Sequence, residues 1–213
     1  MKIFLIRHAQ SESNVDPKEL HIKTNIGINL SPLGVTQALE TGQYIAKNIS
    51  GENIKLWNSP YNRTRQTAQA IALALSQSNT DFIQEESIHL SERQFGLVDS
   101  VADFDTHFPN ESNHYNMHRE QNHDFFVRPP LGESPFDMCL RLDFFLKSVL
   151  PTDACIDTHI IVSHGAAIRG LIMMHQGQTY ETYTNKNPAN ASVRLIEDSE
   201  YRGEIFIPSM ATF

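Results

Sequence analysis

Lys2-Ile3-Phe4-Leu5-Ile6-Arg7-His8-Ala9-Gln10-Ser11-Glu12-Ser13-Asn14 is the stretch on which the reading of the fold turns. Residues 3–6 are apolar without interruption, and they lack the alternation of a strand with one wet face. The run therefore predicts a buried strand of the kind found in parallel sheets covered by helices. It stops at a cation and an imidazole. At such a strand end Arg7 offers a planar cation suited to phosphate oxygens, and the neutral ring of His8 offers a nitrogen that can attack an electrophile. An Arg-His pair alone is common, so the remaining segments decide whether this one is chemical or structural.

Downstream, Leu30-Ser31-Pro32-Leu33-Gly34 carries a helix start, with Ser31 as cap and Pro32 in the first turn. Val35, Ala38, Leu39, Gly42, Ile45, Ala46 and Ile49 follow at helical spacing and predict the face that packs on the sheet. Residues 54–57 read as a second strand, broken at Asn58-Ser59-Pro60. A second helix follows, with Thr64, Thr67, Ala68, Ile71, Ala74 and Leu75 on one face. Arg63 and Arg65 sit in its opening turn, where a helix prefers anions to cations. We read Arg63 as a group held there for an anion and Arg65 as a solvated one.

Residues 82–84 give a third strand. The segment from about 98 to 131 is polar, aromatic and weakly periodic, and reads as a lid inserted over a site. Within it His114 and His118 stand four apart, but no third ligand is spaced for a metal, so they read as a solvated helical face. Ser134, Pro135 and Asp137 mark another helix start, with Met138, Leu142, Phe145, Leu146 and Val149 as its buried stripe. Residues 158–162 are a central-strand candidate that ends in Ser163-His164-Gly165 and passes into an apolar helix over 166–174. Residues 191–196 and 204–207 close the chain as antiparallel or edge strands. The alternation predicts an α/β fold: three layers, a mostly parallel sheet with helices on both faces, and an inserted lid segment.

At 213 residues, with 40% hydrophobic and 20% charged residues, the chain suits a single domain over 1–213 with the lid as its insertion. No apolar run nears the ~20 residues of a membrane span, and Arg7 and His8 interrupt the first run too early for a signal peptide. A cytoplasmic protein with no membrane partner is expected. A formal charge of −8 speaks against a nucleic-acid partner and leaves anion capture to a local cluster of Arg and His. Cys139 and Cys155 are the only cysteines. They form neither a disulfide framework nor a zinc site, and both read as small buried core residues.

Ligands of such sheets bind beyond the carboxyl ends of the strands. Three strand ends deliver Arg7-His8, the turn from Ser59 to Arg63, and Ser163-His164-Gly165. Two histidines and two arginines meeting in one place would repel unless something negative sat between them, and a phosphoryl group meets that need.

These segments resemble the histidine phosphatase superfamily, which includes the cofactor-dependent phosphoglycerate mutases. The resemblance rests on the opening motif over residues 5–14, the helix start over 30–38, the arginine segment over 59–68, Leu90-Ser91-Glu92 with Gly96, Gly132-Glu133-Ser134 with Asp137 and Arg141, and Ser163-His164-Gly165. Two positions depart from the family's usual opening: Ala9 stands for Gly and Gln10 for an acid. Ala9 is tolerable if its backbone stays out of the left-handed region.

The resemblance and the chemistry together imply a catalytic set of His8, Glu92, Arg7, Arg63 and His164. His8 would take the phosphoryl group, and Arg7, Arg63, His164 and Asn14 would bind its oxygens. Glu92 would protonate the leaving alcohol and then activate water. Neighbouring cations should hold His8 neutral below neutral pH. Glu133 and Asp137 read as helix-start and loop-positioning groups, and Arg128 as a lid cation that is either solvated or in touch with substrate.

The expected activity is a metal-independent phosphomonoesterase acting on a small phosphorylated substrate, with no metal and no cofactor. A phosphoglycerate mutase is the alternative, and a silent phospho-ligand binding module a further one. Mutases of the family carry paired lid arginines, whereas this lid has Arg119 and Arg128 singly.

Overall fold

Residues 3–6 alternate between two dry faces rather than between core and water, and each is at most 4% exposed. Ile3 and Leu5 join one hydrophobic cluster, Phe4 and Ile6 another. That division runs through the neighbouring strands as well: Trp57 and Ile161 lie on the first face, Leu56, Ile160 and Val162 on the second. A sheet apolar on both sides must be covered on both sides, which is the three-layer arrangement.

A computed structural model describes residues 1–49, 53–152, 155–183 and 186–211. Its strands are β1 (Lys2–Arg7), β2 (Ile54–Asn58), β3 (Phe82–Glu86), β4 (Thr158–Ser163), β5 (Val193–Glu197) and β6 (Glu200–Phe206), joined in one sheet in the order β3-β2-β4-β1-β5-β6. The first four in that order run parallel, and β5 and β6 are antiparallel additions beside β1. The helices are α1 (Glu12–Val15), α2 (Glu19–Ile22), α3 (Pro32–Asn48), α4 (Asn62–Gln77), α5 (Leu97–Ser100), α6 (Phe104–His107), α7 (Pro109–Gln121), α8 (Pro135–Phe144) and α9 (Gly165–His175). Ile45, Ala68, Ile71 and Leu75 of α3 and α4 close one face. Met138 and Leu142 of α8, with Ile168 and Leu171 of α9, close the other.

The buried side of α4 is the predicted stripe with Arg63 added. The buried side of α3 differs from expectation: Gly34, Gln37, Ala38, Thr41, Gly42 and Ile45 face inward, while Val35 and Leu39 are 50% and 41% exposed. Small and polar residues take the inner positions because α3 lies close against α4 and the site loops. Gln37 donates to the Met210 carbonyl and accepts from the Gln10 amide, and Thr41 donates to the Ala191 carbonyl. Cys139 is buried as read, but Cys155 is exposed, since it lies in the turn leading into β4 rather than inside an element.

Residues 98–131 hold α6, α7 and most of α5. Only Ser112 of α7 is buried, which explains the weak periodicity: a helix wet on nearly every side writes no stripe into the sequence. Phe125 joins the core cluster beneath α8 and α9 and fixes the segment to the body, and Phe104 and Val127 are buried as well.

Gly34 sits against the loop that follows β1, where an added Cβ would stand 1.9 Å from the Gln10 carbonyl oxygen. Ala is the better helix former by ~1 kcal/mol, yet overpacking against backbone should outweigh it. Gly34→Ala is therefore expected to lose about 2 kcal/mol or more in urea unfolding. Gly177→Ala, at an exposed left-handed position with open space around it, should lose less.

Candidate active site

Register brings the site together. Arg7 pairs with Ser163 and Asn58 with Val162, so the chain leaves β1, β4 and β2 at one level of the sheet edge. His8 and His164 are each the next residue out. The His8 amide donates to the Ser163 carbonyl at 2.8 Å and the Ser59 amide to the Val162 carbonyl at 3.2 Å. The two imidazole centroids lie 5.2 Å apart, edge to face.

His8 is 4% exposed, and its Nδ1 lies 2.8 Å from the Ala9 carbonyl. A carbonyl can only accept, so Nδ1 carries the proton and the lone pair of the neutral ring is on Nε2. Burial, then Arg63 and Arg7, push the His8 pKa well below its ordinary value. The outcome is a neutral ring with a fixed tautomer, as expected for a nitrogen nucleophile. Ala9 is absent from the residues with positive φ, so the Gly-to-Ala departure is accommodated. Its amide donates to Thr67 Oγ1, which itself donates to the Arg63 carbonyl.

Arg7 and Arg63 are 4% and 5% exposed. Arg7 donates to the Pro188 carbonyl and Arg63 to the Asn25 carbonyl, and Arg63 also lies over the Tyr61 ring at 4.8 Å. Burial lowers the Arg7 pKa to about 10, partly offset by Glu92, and lowers that of Arg63 in the same way. Arg65 turns outward to a bidentate pair with Glu86 at 2.6 and 2.8 Å. Sequence spacing had separated these two arginines in the same sense.

His164 is wholly buried, with its Nε2 2.8 Å from Ser59 Oγ and its pKa held well below the ordinary value by burial first and Arg63 next. Two buried polar atoms of the cluster lack a hydrogen-bond partner among the described residues: Arg7 Nε and His164 Nδ1. Unpaired donors are costly inside a protein, and a bound oxyanion would satisfy them. In the tautomer whose Nε2 accepts the Ser59 hydroxyl proton, the ring proton of His164 sits on Nδ1 and can be donated to such an anion.

Glu92 is half-buried at the same edge. Its carboxylate accepts from the Arg93 amide at 2.9 Å and from the Ala166 amide in the first turn of α9 at 3.4 Å. The Asn14 carbonyl oxygen receives the Ser11 amide, the Ser11 hydroxyl and Asn190 Nδ2. Its amide orientation is thereby set, leaving the NH2 group as the free donor. Asn190, fully buried, also donates to the His8 carbonyl at 3.1 Å. Sequence reading missed Asn190 because it lies in a loop with no periodicity. It likewise passed over Ser59 as a mere strand breaker.

His114 and His118 lie on α7 with ring centroids 4.4 Å apart. Among the described residues no group of three or more His, Cys, Asp or Glu could hold a metal ion, and no helix is long and apolar enough to cross a membrane.

A six-stranded α/β sheet with two histidines and two buried arginines at its central strand ends defines the class. The chain belongs to the histidine phosphatase superfamily (branch 1), whose sequence profile matches residues 3–206. It is 28% identical over 212 residues to phosphoglycerate mutase-like protein AT74 of Arabidopsis thaliana, covering 92% of this chain and 64% of that relative. The chain thus spans a little under two thirds of the plant protein's length. It is 27% identical over 187 residues to the 2,3-bisphosphoglycerate-dependent phosphoglycerate mutase of Bartonella bacilliformis, with 84% of this chain and 83% of the relative covered. Among solved structures, a putative alpha-ribazole-5'-P phosphatase from Escherichia coli K-12 has the same fold, with a TM-score of 0.74 at 18% identity over 96% of this chain and 95% of that one.

The neutral histidines make stability depend on pH. Both folded pKa values lie below the unfolded value near 6.5, so the unfolded chain binds more protons in acid. The stability tied to the neutral rings is complete above that unfolded value and is lost as pH falls toward the folded ones. In phosphate-free buffer, urea unfolding between pH 7 and 5 should weaken by up to ~1.4 kcal/mol per pH unit for each ring. His164→Asn should flatten the slope by one ring's share.

Proposed function

We propose that this chain is a metal-independent phosphomonoesterase that works through a phosphohistidine on His8. The observation that carries the reading is the His8 tautomer. Nδ1 is committed to the Ala9 carbonyl, so the lone pair of the neutral ring is on Nε2, with Arg7, Arg63 and His164 as neighbours. In-line attack of Nε2 on phosphorus forms the N–P bond as the ester P–O bond breaks, and the leaving alkoxide takes a proton from the Glu92 carboxyl. Water, losing a proton to Glu92, then displaces the histidine and releases inorganic phosphate. Through both displacements Arg7, Arg63, His164 and the Asn14 amide hold the non-bridging oxygens, whose charge is greatest in the transition state.

Hydrolysis is favoured over mutase chemistry by the state of the other cations. A mutase must grip a second phosphate and a carboxylate. Arg119 is bidentate to Asp124 and Arg128 to Asp137, and Arg93, next to Glu92, is turned to the Glu133 carbonyl and the Phe95 ring. Lys23 is held between Glu12 and Glu19. A cavity of about 520 Å³ is lined by His21, this carboxylate-paired Lys23, Thr24, Asn25, Gln94 and Asp99. The Asp99 pKa is raised by burial and by Glu92. A carboxyl there suits a hydroxyl-bearing leaving group better than an anionic one. In this reading residues 98–131 act as the lid over the leaving group, within a single domain. Retention of His8, Glu92 and His164 together weighs against a silent binding module.

The test is phosphate release from p-nitrophenyl phosphate and a panel of alkyl phosphates, in EDTA, with 3-phosphoglycerate included. Turnover should survive the chelator and fall at least ~10³-fold in His8→Ala. Glu92→Gln should cost alkyl esters ~10²-fold or more and the nitrophenyl ester far less, because a good leaving group needs no proton. Isomerisation of 3-phosphoglycerate in the presence of 2,3-bisphosphoglycerate, without phosphate release, would replace this reading by the mutase.

A further inference from the structure

Glu92 follows a single 3-10 turn over Ile88–Leu90 and lies in irregular chain, yet most carbonyls from His89 to Glu92 are held by side chains of other elements. Arg141, on α8, reaches this stretch with its whole guanidinium. Nη1 donates to the His89 carbonyl at 2.7 Å and the Ser91 carbonyl at 2.9 Å, and Nη2 donates to the Glu92 carbonyl at 3.0 Å. The remaining donors go to the Glu133 carboxylate, Nε to Oε1 at 2.9 Å and Nη2 to Oε2 at 3.0 Å. A guanidinium has five N–H groups in a fixed fork, and all five are used.

The Leu90 carbonyl, between those of His89 and Ser91, accepts from Ser163 Oγ on β4 at 2.8 Å. Glu133 completes the frame. Its Oε2 accepts the Gln94 amide at 3.1 Å, and its own amide donates to the Gln94 carbonyl at 2.7 Å. The start of α8 is itself fixed by the reciprocal Ser134–Asp137 cap.

We propose that Arg141, backed by Glu133, is the positioning residue for Glu92, setting where its carboxyl stands relative to the leaving oxygen. This rests on the acid role given to Glu92 above. All of its donors go to this backbone and to Glu133, so it reaches the reaction through the placement of Glu92. What it controls is the placement of one carboxyl, and proton transfer is intolerant of displacement by an ångström. Lysine cannot substitute: three donors on a flexible stem cannot reach three carbonyls and a carboxylate together.

The role has a signature that general loss of structure lacks. Misplacing the acid harms only esters that need protonation. In Arg141→Lys, kcat/KM for glycerol 3-phosphate should fall ~30-fold while that for p-nitrophenyl phosphate stays within ~3-fold. Added to Glu92→Gln, the same substitution should cost less than ~2-fold on either ester, since a missing acid cannot be misplaced. Glu133→Gln keeps the side-chain volume, should fold where Arg141→Lys does not, and should shift the ratio of the two esters the same way by ~5-fold.

Equal losses on both esters, or a full additional loss in the Glu92→Gln background, would overturn the proposal. A flat ratio in Arg141→Lys and Glu133→Gln beside a shifted one in Glu92→Gln sinks the positioning role alone. A flat ratio in Glu92→Gln itself sinks the acid assignment and this role with it, while the His8→Ala result judges the phosphatase reading separately.

Discussion

The parallel pairing of β1 with β4, in the register that sets Arg7 opposite Ser163, is the constraint from which the rest of the structure follows. Side chains along a strand alternate with a period of two, so a slip of one residue would exchange the two faces of β1. Ile3 and Leu5 would enter the cluster built for Phe4 and Ile6, and His8 would leave the level of His164. The apolar packing that fixes the register is thus the same packing that fixes the imidazoles. Neither can be changed without the other, and this is why the site needs little support from its own loops at these two residues.

Among the arginines the partners differ: Arg202 pairs with Glu197 and Glu200, Arg93 donates to the Glu133 carbonyl, and Arg169 to Asn187 and the Tyr183 hydroxyl. Arg65, Arg119, Arg128, Arg141 and Arg194 are each paired with a carboxylate. Arg7 and Arg63, among the most buried, instead donate to backbone carbonyls. Burying an ion beside a neutral acceptor costs more than burying an ion pair. For these two nearly fully buried arginines the cost is accepted where two neutral histidines stand beside them. A region so arranged has strong positive potential and low dielectric, which together favour an oxyanion far more than surface charge could. The net charge of −8 is a property of the whole chain, whereas these cations would act on an anion at contact range.

Much of this was legible in the sequence. The uninterrupted apolar runs of β1 and β4, each ending in a histidine, name the central strands, and the stripe of α4 matches its buried face because its packing partners are apolar. The two arginines of α4 differ in exposure as their spacing predicts, since Arg63 shares the buried helix face of Thr67 and Arg65 does not. The failures have a common cause. Val35 and Leu39 were assigned inward by their hydrophobicity, but the inner face of α3 meets backbone and polar loops, where Gly34, Gln37 and Thr41 fit better. Of helices α5 to α7 the sequence shows only the His114–His118 face, because little of them is buried. Asn190 and the full reach of Arg141 are relations between distant loops, and no local pattern encodes them.

The placement of β1 has a last consequence, for how the chain reaches its fold. Its central pairing joins Lys2 to Thr158, and its other side joins Lys2 to Glu197. The first strand made is therefore completed by almost the last ones, and contacts of such separation are slow to form. During synthesis the apolar residues 3–6 must wait, with both edges unpaired, until the second half of the chain emerges. The hydrophobicity that makes this strand the centre of the sheet also makes the nascent chain prone to aggregation.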